Sequence, residues 1–107
     1  MFLKGQFLFT QYPPTAFTMR RKINFKGRVQ GVGFRWNTKE ALNVFAVTGY
    51  VKNLSNGTVE ILLEGRKEEV VASMKAVEKK MLGYWTSREW EDMEGEKSHW
   101  AEFTIQY

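Results

Sequence analysis

Cysteine is missing from all 107 residues of the chain. Disulfide bonds, thiol catalysis and zinc sites built on thiolates are therefore excluded. Because chains without disulfides are typical of reducing compartments, the cytoplasm is the expected location.

Histidine and aspartate are almost as scarce, since His99 and Asp92 are the single residues of their types. Neither lies near the glycine-rich segment 27–35, so a Ser-His-Asp triad that involves this segment is excluded. One histidine cannot build a histidine metal site by itself. We therefore expect no metal ion.

Long apolar runs and a strong excess of one charge are also missing. No segment approaches the ~18–20 apolar residues that a helix needs to span a bilayer. The net charge of +4 favours small anions or nucleic acid as partners but is too weak to choose between them. With 43% apolar and 26% charged residues, the composition is typical of one globular domain with a modest core.

Residues 1–18 differ in character from the remainder of the chain. Their apolar residues are interrupted by Lys4-Gly5-Gln6, and Pro13-Pro14 follows, so the pattern does not fit a secretory signal. Two interpretations stay open. Either Met19 is the natural start and residues 1–18 are a disordered extension, or residues 5–10 add a strand to the domain. We assign residues 19–107 to the domain itself.

The segment 27–35, Gly-Arg-Val-Gln-Gly-Val-Gly-Phe-Arg, is the strongest local signal in the chain. Its three glycines permit tight turns that gather main-chain N–H groups, and a helical pattern begins directly afterwards. A strand, a glycine loop and a helix N-terminus together form a concave nest of donors for an oxyanion. Arg35 can then grip a phosphate through two hydrogen bonds. A glycine loop alone, however, is more often a plain strand-to-helix connection.

The periodicity of apolar residues predicts the order of helices and strands. Alternation predicts strands over about residues 21–27, 47–53, 58–64 and 101–107, and helical spacing predicts helices over 34–46 and 67–81. Residues 85–90 show a poorer strand pattern, residues 92–98 are predicted to form a mobile loop, and Asn56-Gly57 predicts a type I′ hairpin turn. This βαββαβ order, with one extra strand near the end, predicts a ferredoxin-like α+β sandwich with two helices on one face of an antiparallel sheet.

Asn53 is the second candidate site residue because it ends the predicted second strand. A helix followed by a strand that runs back along it returns the chain to the level at which the helix began. Asn53 is therefore expected beside the mouth of the glycine loop. Its carboxamide can accept a hydrogen bond from water and donate one to a phosphoryl oxygen. Without the loop, a merely conformational role near the turn would be preferred.

Taken together, these segments resemble the acylphosphatase family. The motifs that carry the resemblance are the segment 27–35, Gly-Tyr-Val-Lys-Asn at 49–53, Asn-Gly-Thr-Val-Glu-Ile-Leu-Leu-Glu-Gly at 56–65 and Phe-Thr-Ile-Gln-Tyr at 103–107. The likeness covers about residues 20–107 and leaves out the first eighteen or so. The family commonly has Trp-Val-Arg-Asn where this chain has Tyr-Val-Lys-Asn, and residues 81–100 match poorly.

The resemblance implies an enzyme that hydrolyses the carboxyl-phosphate bond of small acyl phosphates without a metal or cofactor. Arg35 is similar to the family's phosphate-binding arginine, and Asn53 to the asparagine that positions the attacking water. The implied main-chain donors to the phosphoryl group are those of Gln30, Gly31, Val32, Gly33, Phe34 and Arg35. The implied partners are a small acyl phosphate substrate and inorganic phosphate, as product and competitive inhibitor. We expect a monomer with neither a nucleic-acid nor a membrane partner.

Two other functions stay open. A catalytically silent acylphosphatase-like domain could serve in assembly or regulation, because a fold alone does not fix a function. The presence of both Arg35 and Asn53 favours an active enzyme over this alternative. An RNA-binding module would stack bases on aromatic residues of the open sheet face. The third strand is instead predicted to present Glu60, Leu62 and Glu64 there, with two repelling charges, which disfavours RNA binding.

Overall fold

The computed structural model describes residues 19–94 and 100–107. The predictions for residues 1–18, for His99 and for residues 95–98 of the expected loop lie outside this range. The described part contains strands β1 (Met19–Gly27), β2 (Val47–Asn53), β3 (Val59–Gly65), β4 (Trp85–Met93) and β5 (Phe103–Gln106), and helices α1 (Phe34–Leu42) and α2 (Lys67–Lys80). Neither of these helices combines the length and apolarity that crossing a bilayer requires.

The strands form a five-stranded sheet in the order β4-β1-β3-β2-β5. The β1–β3, β1–β4 and β2–β3 pairs are antiparallel, whereas β5 runs parallel to β2. Both helices pack against this sheet and against each other. The predicted ferredoxin-like α+β sandwich is therefore confirmed, with a mixed sheet because of the parallel β2–β5 pair.

The core lies between the sheet and the two helices. Alternate residues of each strand point to the helices, and residues three and four apart on each helix point back to the sheet. Val59, Ile61 and Leu63, which the sequence placed on one face of the third strand, are fully buried. The other fully or nearly fully buried apolar residues include Ile23, Phe25, Val29, Phe34, Leu42, Val51, Val70, Met74, Val77 and Met81.

Helix α1 ends at Leu42, so the prediction of a helix that reaches residues 45–46 was wrong. The main-chain N–H of Asn43 donates to Glu40 O at 3.3 Å and that of Phe45 to Leu42 O at 3.0 Å, which tightens the chain into short turns. The N–H of Ala46 then donates to the Glu69 carboxylate of α2 at 2.8 Å. This contact between the segment after α1 and helix α2 satisfies a donor that a longer α1 would have used internally.

The hairpin between β2 and β3 does not contain the predicted type I′ turn. Gly57 has a φ of 90°, but Asn56 does not share the positive φ that such a turn needs. Instead, Leu54 N donates to Thr58 O at 2.8 Å, and Gly57 N donates to Leu54 O at 3.1 Å, which leaves a three-residue loop. Asn56 Oδ1 accepts hydrogen bonds from Thr58 N at 3.1 Å and Thr58 Oγ1 at 2.7 Å. These side-chain bonds and the extra loop residue replace the two-residue turn.

Strand β4 is longer than its sequence pattern indicated. It continues to Met93, so Asp92 lies in a strand and the prediction of a loop from residue 92 was wrong. The carboxylate of Asp92 accepts two hydrogen bonds from Arg21, at 2.7 and 3.0 Å, across the β1–β4 pair. Charged residues are common on edge strands, where they hinder pairing with other chains. This explains why the strand lacks a clean alternation.

The sheet face opposite the helices carries paired charges. Glu64 is 1% exposed, and its carboxylate accepts hydrogen bonds from Arg20 Nε at 2.9 Å and Thr48 Oγ1 at 3.1 Å. Glu60 accepts a hydrogen bond of 2.6 Å from the Tyr50 hydroxyl. The two glutamates that the sequence placed on the outer face of the third strand are therefore tied into the sheet by hydrogen bonds.

Tyr50 is expected to make the fold lose stability at alkaline pH. Its burial, together with the hydrogen bond to Glu60 and the charge of that carboxylate, raises the pKa of Tyr50 above the ordinary value of 10. Because the folded-state pKa lies above the unfolded-state value, the stabilisation is complete below about pH 10 and is lost as the pH rises beyond it. We expect the free energy of unfolding of the wild type to fall more steeply above about pH 10 than that of Tyr50→Phe. Urea denaturation across this range measures both slopes, and equal slopes would contradict the prediction.

Candidate active site

A cleft of about 170 Å³ opens where the loop after β1, the first turn of α1 and the ends of β2 and β5 meet. Arg35 and Asn53 both line this cleft, so the two predicted catalytic residues lie on one site. The remaining lining residues are Val29, Gly31, Gly33, Phe34, Trp36, Ile105 and Tyr107. Of the predicted loop donors, Gln30 and Val32 lie between these residues in the chain but do not line the cleft themselves.

The glycine loop leaves a run of main-chain donors without internal partners. Gly31 and Gly33 both have φ of 77°, a left-handed conformation that other residues adopt at a cost. In the described part of the chain, none of the N–H groups of residues 30–35 donates to another main-chain acceptor. The first helical N–H with a partner is that of Asn37, which donates to Gly33 O at 2.9 Å. The first turn of α1 carries no acidic residue, so its positive end is available to an anion.

Arg35 contributes a positive charge next to these donors. Its Nη1 donates to Gln106 O at 3.3 Å, and its guanidinium carbon lies 4.7 Å from the centre of the Tyr107 ring. No carboxylate of residues 19–94 or 100–107 forms an ion pair with it. One turn further along α1, Lys39 Nζ donates to Phe103 O at 3.4 Å, so two basic side chains of this helix contact β5. The Arg35 charge is thus oriented by the end of β5 and left uncompensated in the cleft.

Asn53 contributes a buried acceptor at the end of β2. Its backbone is fixed by the register of the sheet, in which it is paired with Val59 of β3. Its Oδ1 is buried and has no hydrogen-bond partner among the described residues. Unpartnered buried polar atoms are rare, because each costs the free energy of its lost hydration. Because Asn53 also lines the cleft, a rotation of its carboxamide would let this oxygen accept a hydrogen bond from a water molecule there.

The side chain of Gln30 connects the glycine loop to the β2–β3 hairpin. Its Nε2 donates to Leu54 O at 2.8 Å and to Thr58 O at 2.9 Å. The loop that carries the main-chain donors is thereby tied to the hairpin that follows Asn53. The sequence predicted only a main-chain role for Gln30, because its two partners lie on a later hairpin and no local pattern indicates them.

Replacing Gln30 with alanine is expected to lower the free energy of unfolding by about 1–2 kcal/mol, because two hydrogen bonds across the loop–hairpin contact are lost while Leu54 O and Thr58 O each keep one main-chain donor. Urea denaturation measures this change. Gln106→Ala is the matched control, since the Gln106 carboxamide makes no hydrogen bond among the described residues. Equal stability of the two variants would contradict a bridging role for Gln30.

Trp36, Ile105 and Tyr107 line the cleft although they were not predicted as site residues. Trp36 directly follows Arg35 in the first turn of α1. Ile105 and Tyr107 alternate along the final strand, and this alternation could have placed both residues on one face. What the alternation could not show is that this face meets Arg35, since that depends on the position of β5 beside β2.

Among the described residues that line the cleft, one side chain carries a permanent charge and none is acidic. Arg35 and Tyr107 are the only ionisable side chains among its described lining residues. Within the same described ranges, no cluster of three His, Cys, Asp or Glu side chains could hold a metal ion. The arrangement can therefore bind an anion through N–H groups and a guanidinium, and it can hold a neutral molecule through a carboxamide.

Comparisons with known proteins identify the family and the fold of this chain. The family model "Acylphosphatase" matches residues 21–105. The acylphosphatase of Thermococcus kodakarensis is 46% identical over 54 residues, which cover 50% of this chain and 59% of that protein. The acylphosphatase of Lactiplantibacillus plantarum is 38% identical over 79 residues, which cover 74% of this chain and 88% of that protein.

A solved structure extends the likeness to the whole domain. The crystal structure of acylphosphatase from Bacillus subtilis has a TM-score of 0.75 and 30% sequence identity, and the alignment covers 83% of this chain and 99% of that one. The chain spans less than two thirds of the length of some curated relatives: 59% of the acylphosphatase of Thermococcus kodakarensis and 64% of that of Oceanobacillus iheyensis. Because the family model matches most of the described chain, including Arg35 and Asn53, the chain belongs to the acylphosphatase family.

Proposed function

We propose that this protein is an acylphosphatase, which hydrolyses the carboxyl-phosphate bond of small acyl phosphates to a carboxylate and inorganic phosphate. One observation carries the proposal: a single cleft combines free main-chain N–H groups and the unpaired Arg35 guanidinium with the buried, unpartnered Oδ1 of Asn53. The first two groups suit a phosphoryl group, and the third suits a water molecule.

The phosphoryl group binds to the N–H groups of residues 30–35 and to Arg35. Hydrogen bonds from main-chain N–H groups at a helix N-terminus stabilise phosphate oxygens, and a guanidinium adds two parallel charge-assisted bonds. As the transition state forms, charge is spread over the phosphoryl oxygens. Donors that already point at them need no reorganisation, which is the largest contribution that such a site makes to catalysis.

Asn53 holds the nucleophile. Its Oδ1 accepts a hydrogen bond from the water molecule and keeps the water oxygen in line with the bond that breaks. The bond between this oxygen and phosphorus forms while the bond from phosphorus to the acyl oxygen breaks, and the electron pair leaves with the carboxylate. A carboxylate is a good leaving group, so no general acid is required. Since the described residues that line the cleft include no acidic side chain, a phosphoryl oxygen takes the proton of the water.

The proposal is tested by measuring phosphate release from acetyl phosphate by the full chain, with and without EDTA. We expect hydrolysis well above the buffer rate, no effect of EDTA, and competitive inhibition by inorganic phosphate. A folded protein that leaves acetyl phosphate intact would contradict the proposal and favour a catalytically silent domain. A cytoplasmic location and a monomeric state stay predictions.

A further inference from the structure

Two large aromatic side chains border the cleft and are mostly exposed. Trp36 is 60% exposed and Tyr107 is 98% exposed, and both line the cleft. Large apolar side chains are normally buried, so an exposed pair at a binding site is informative. The exposed area here lies beside the proposed phosphate position.

Trp36 differs from the other tryptophans of the described chain because its ring has no aromatic, cationic or hydrogen-bond partner there. Its ring contacts no aromatic or cationic side chain in the described part, and its Nε1 donates no hydrogen bond there. Trp85 contacts the Phe25 ring and donates to Glu78 O, Trp90 contacts Arg21 and Arg88, and Trp100 contacts Tyr50. Packing within the fold therefore explains those three side chains but not Trp36.

Tyr107 uses only one face of its ring within the described chain. The Arg35 guanidinium lies 4.7 Å from the ring centre, and the rest of the side chain is exposed. Arg35 is the group that grips the phosphoryl oxygens under the proposed function. The Tyr107 ring is therefore next to the position from which an acyl group extends.

The roles of the other lining residues indicate which part of the cleft is open to the acyl group. Val29 and Phe34 are buried in the core, and the glycines, Arg35 and Asn53 contact the phosphoryl group or water under the proposed function. Trp36, Ile105 and Tyr107 are then the surface that meets the remainder of the substrate. None of the three side chains carries a charge at neutral pH. A charged acyl group would lose hydration there without gaining a partner, whereas a flat apolar group can stack on an aromatic ring.

We propose that Trp36 and Tyr107 form an acyl-group subsite and that the preferred substrates carry an uncharged, apolar and preferably aromatic acyl group. The inference rests on the proposed function, because it adds a substrate class to the same site. Trp36 is a specificity-determining residue in this scheme: its ring faces the acyl group and takes no part in phosphoryl transfer.

The test compares kcat/KM for benzoyl phosphate with kcat/KM for acetyl phosphate. The ratio of the two values cancels any general loss of activity, and its change between variants cancels the intrinsic reactivity of the substrates. We expect Trp36→Ala to lower this ratio about three- to tenfold, the effect of one lost aromatic contact. Trp36→Phe, which keeps an aromatic ring, should retain the ratio within about twofold.

Trp90→Ala is the matched control, because Trp90 is 44% exposed and lies away from the cleft. It should leave the ratio unchanged. A wild-type ratio in Trp36→Ala, with both substrates hydrolysed, would overturn the acyl-group subsite and leave the proposed function intact. A wild-type protein that hydrolyses neither substrate would overturn both. A lowered ratio in Trp36→Ala that Trp90→Ala does not share supports the subsite.

Discussion

Replacing Arg35 with alanine is expected to lower kcat/KM for acetyl phosphate about 10³-fold or more. The guanidinium is the one cationic side chain among the described lining residues, and no carboxylate of the described chain neutralises it. Its loss removes two charge-assisted hydrogen bonds to oxygens on which negative charge builds up in the transition state. Steady-state kinetics measures the loss, and the inhibition constant of inorganic phosphate should rise as well, because the product is bound by the same group.

Two further variants separate the role of Arg35 from a general effect of charge. Arg28→Ala removes the same side chain from an exposed position of the same loop that does not line the cleft, and it should change kcat/KM by less than about threefold. Arg35→Lys keeps the charge but not the planar pair of donors, so it should recover only a small part of the activity. An Arg35→Ala variant that keeps a tenth of the wild-type kcat/KM would disprove a central role for this residue.

The fold could be predicted wherever buried apolar residues recur at a regular spacing in the sequence. The inward residues Val59, Ile61 and Leu63 alternate in the sequence and are fully buried in the structure. The sequence indicated only part of strand β4. This strand lies at the edge of the sheet, where its side chains are mainly polar and it pairs with β1 alone. The end of α1 was misplaced because Ala46 N pairs with Glu69 of the other helix, and such a contact leaves no trace in local spacing.

The site was predictable to the extent that topology alone determines it. Strand β2 runs back from the end of α1, so Asn53 returns to the level of Arg35, and both line one cleft. The bridge from Gln30 to the hairpin and the ring of Tyr107 over Arg35 join residues that are far apart in the chain. Neither contact follows from periodicity, because each depends on how side chains meet across elements. The sequence therefore indicated the two candidate catalytic residues but not the side chains that contact them or border the cleft.

Asn24→Ala is the control for the replacement of Asn53 with alanine. Asn24 Nδ2 donates to Thr58 Oγ1 at 2.8 Å, and Asn24 does not line the cleft. This variant loses the same carboxamide from β1, which is separated from β2 by β3 in the sheet. It should therefore leave kcat for acetyl phosphate within about twofold of the wild-type value, even if the lost hydrogen bond costs about 1 kcal/mol of stability.

Replacing Asn53 with alanine is expected to lower kcat for acetyl phosphate about 10²- to 10³-fold, which is the effect of one lost transition-state hydrogen bond. The inhibition constant of inorganic phosphate should change by less than about threefold, because the phosphoryl oxygens are held by the glycine loop and Arg35. This separation of kcat from phosphate binding follows from the chemistry of the unpartnered Oδ1, because a carboxamide oxygen accepts a hydrogen bond from water but not from an unprotonated phosphoryl oxygen. Wild-type turnover in Asn53→Ala would exclude the water-positioning role. A rise in the phosphate inhibition constant that matches the loss in kcat would instead assign Asn53 to phosphoryl binding.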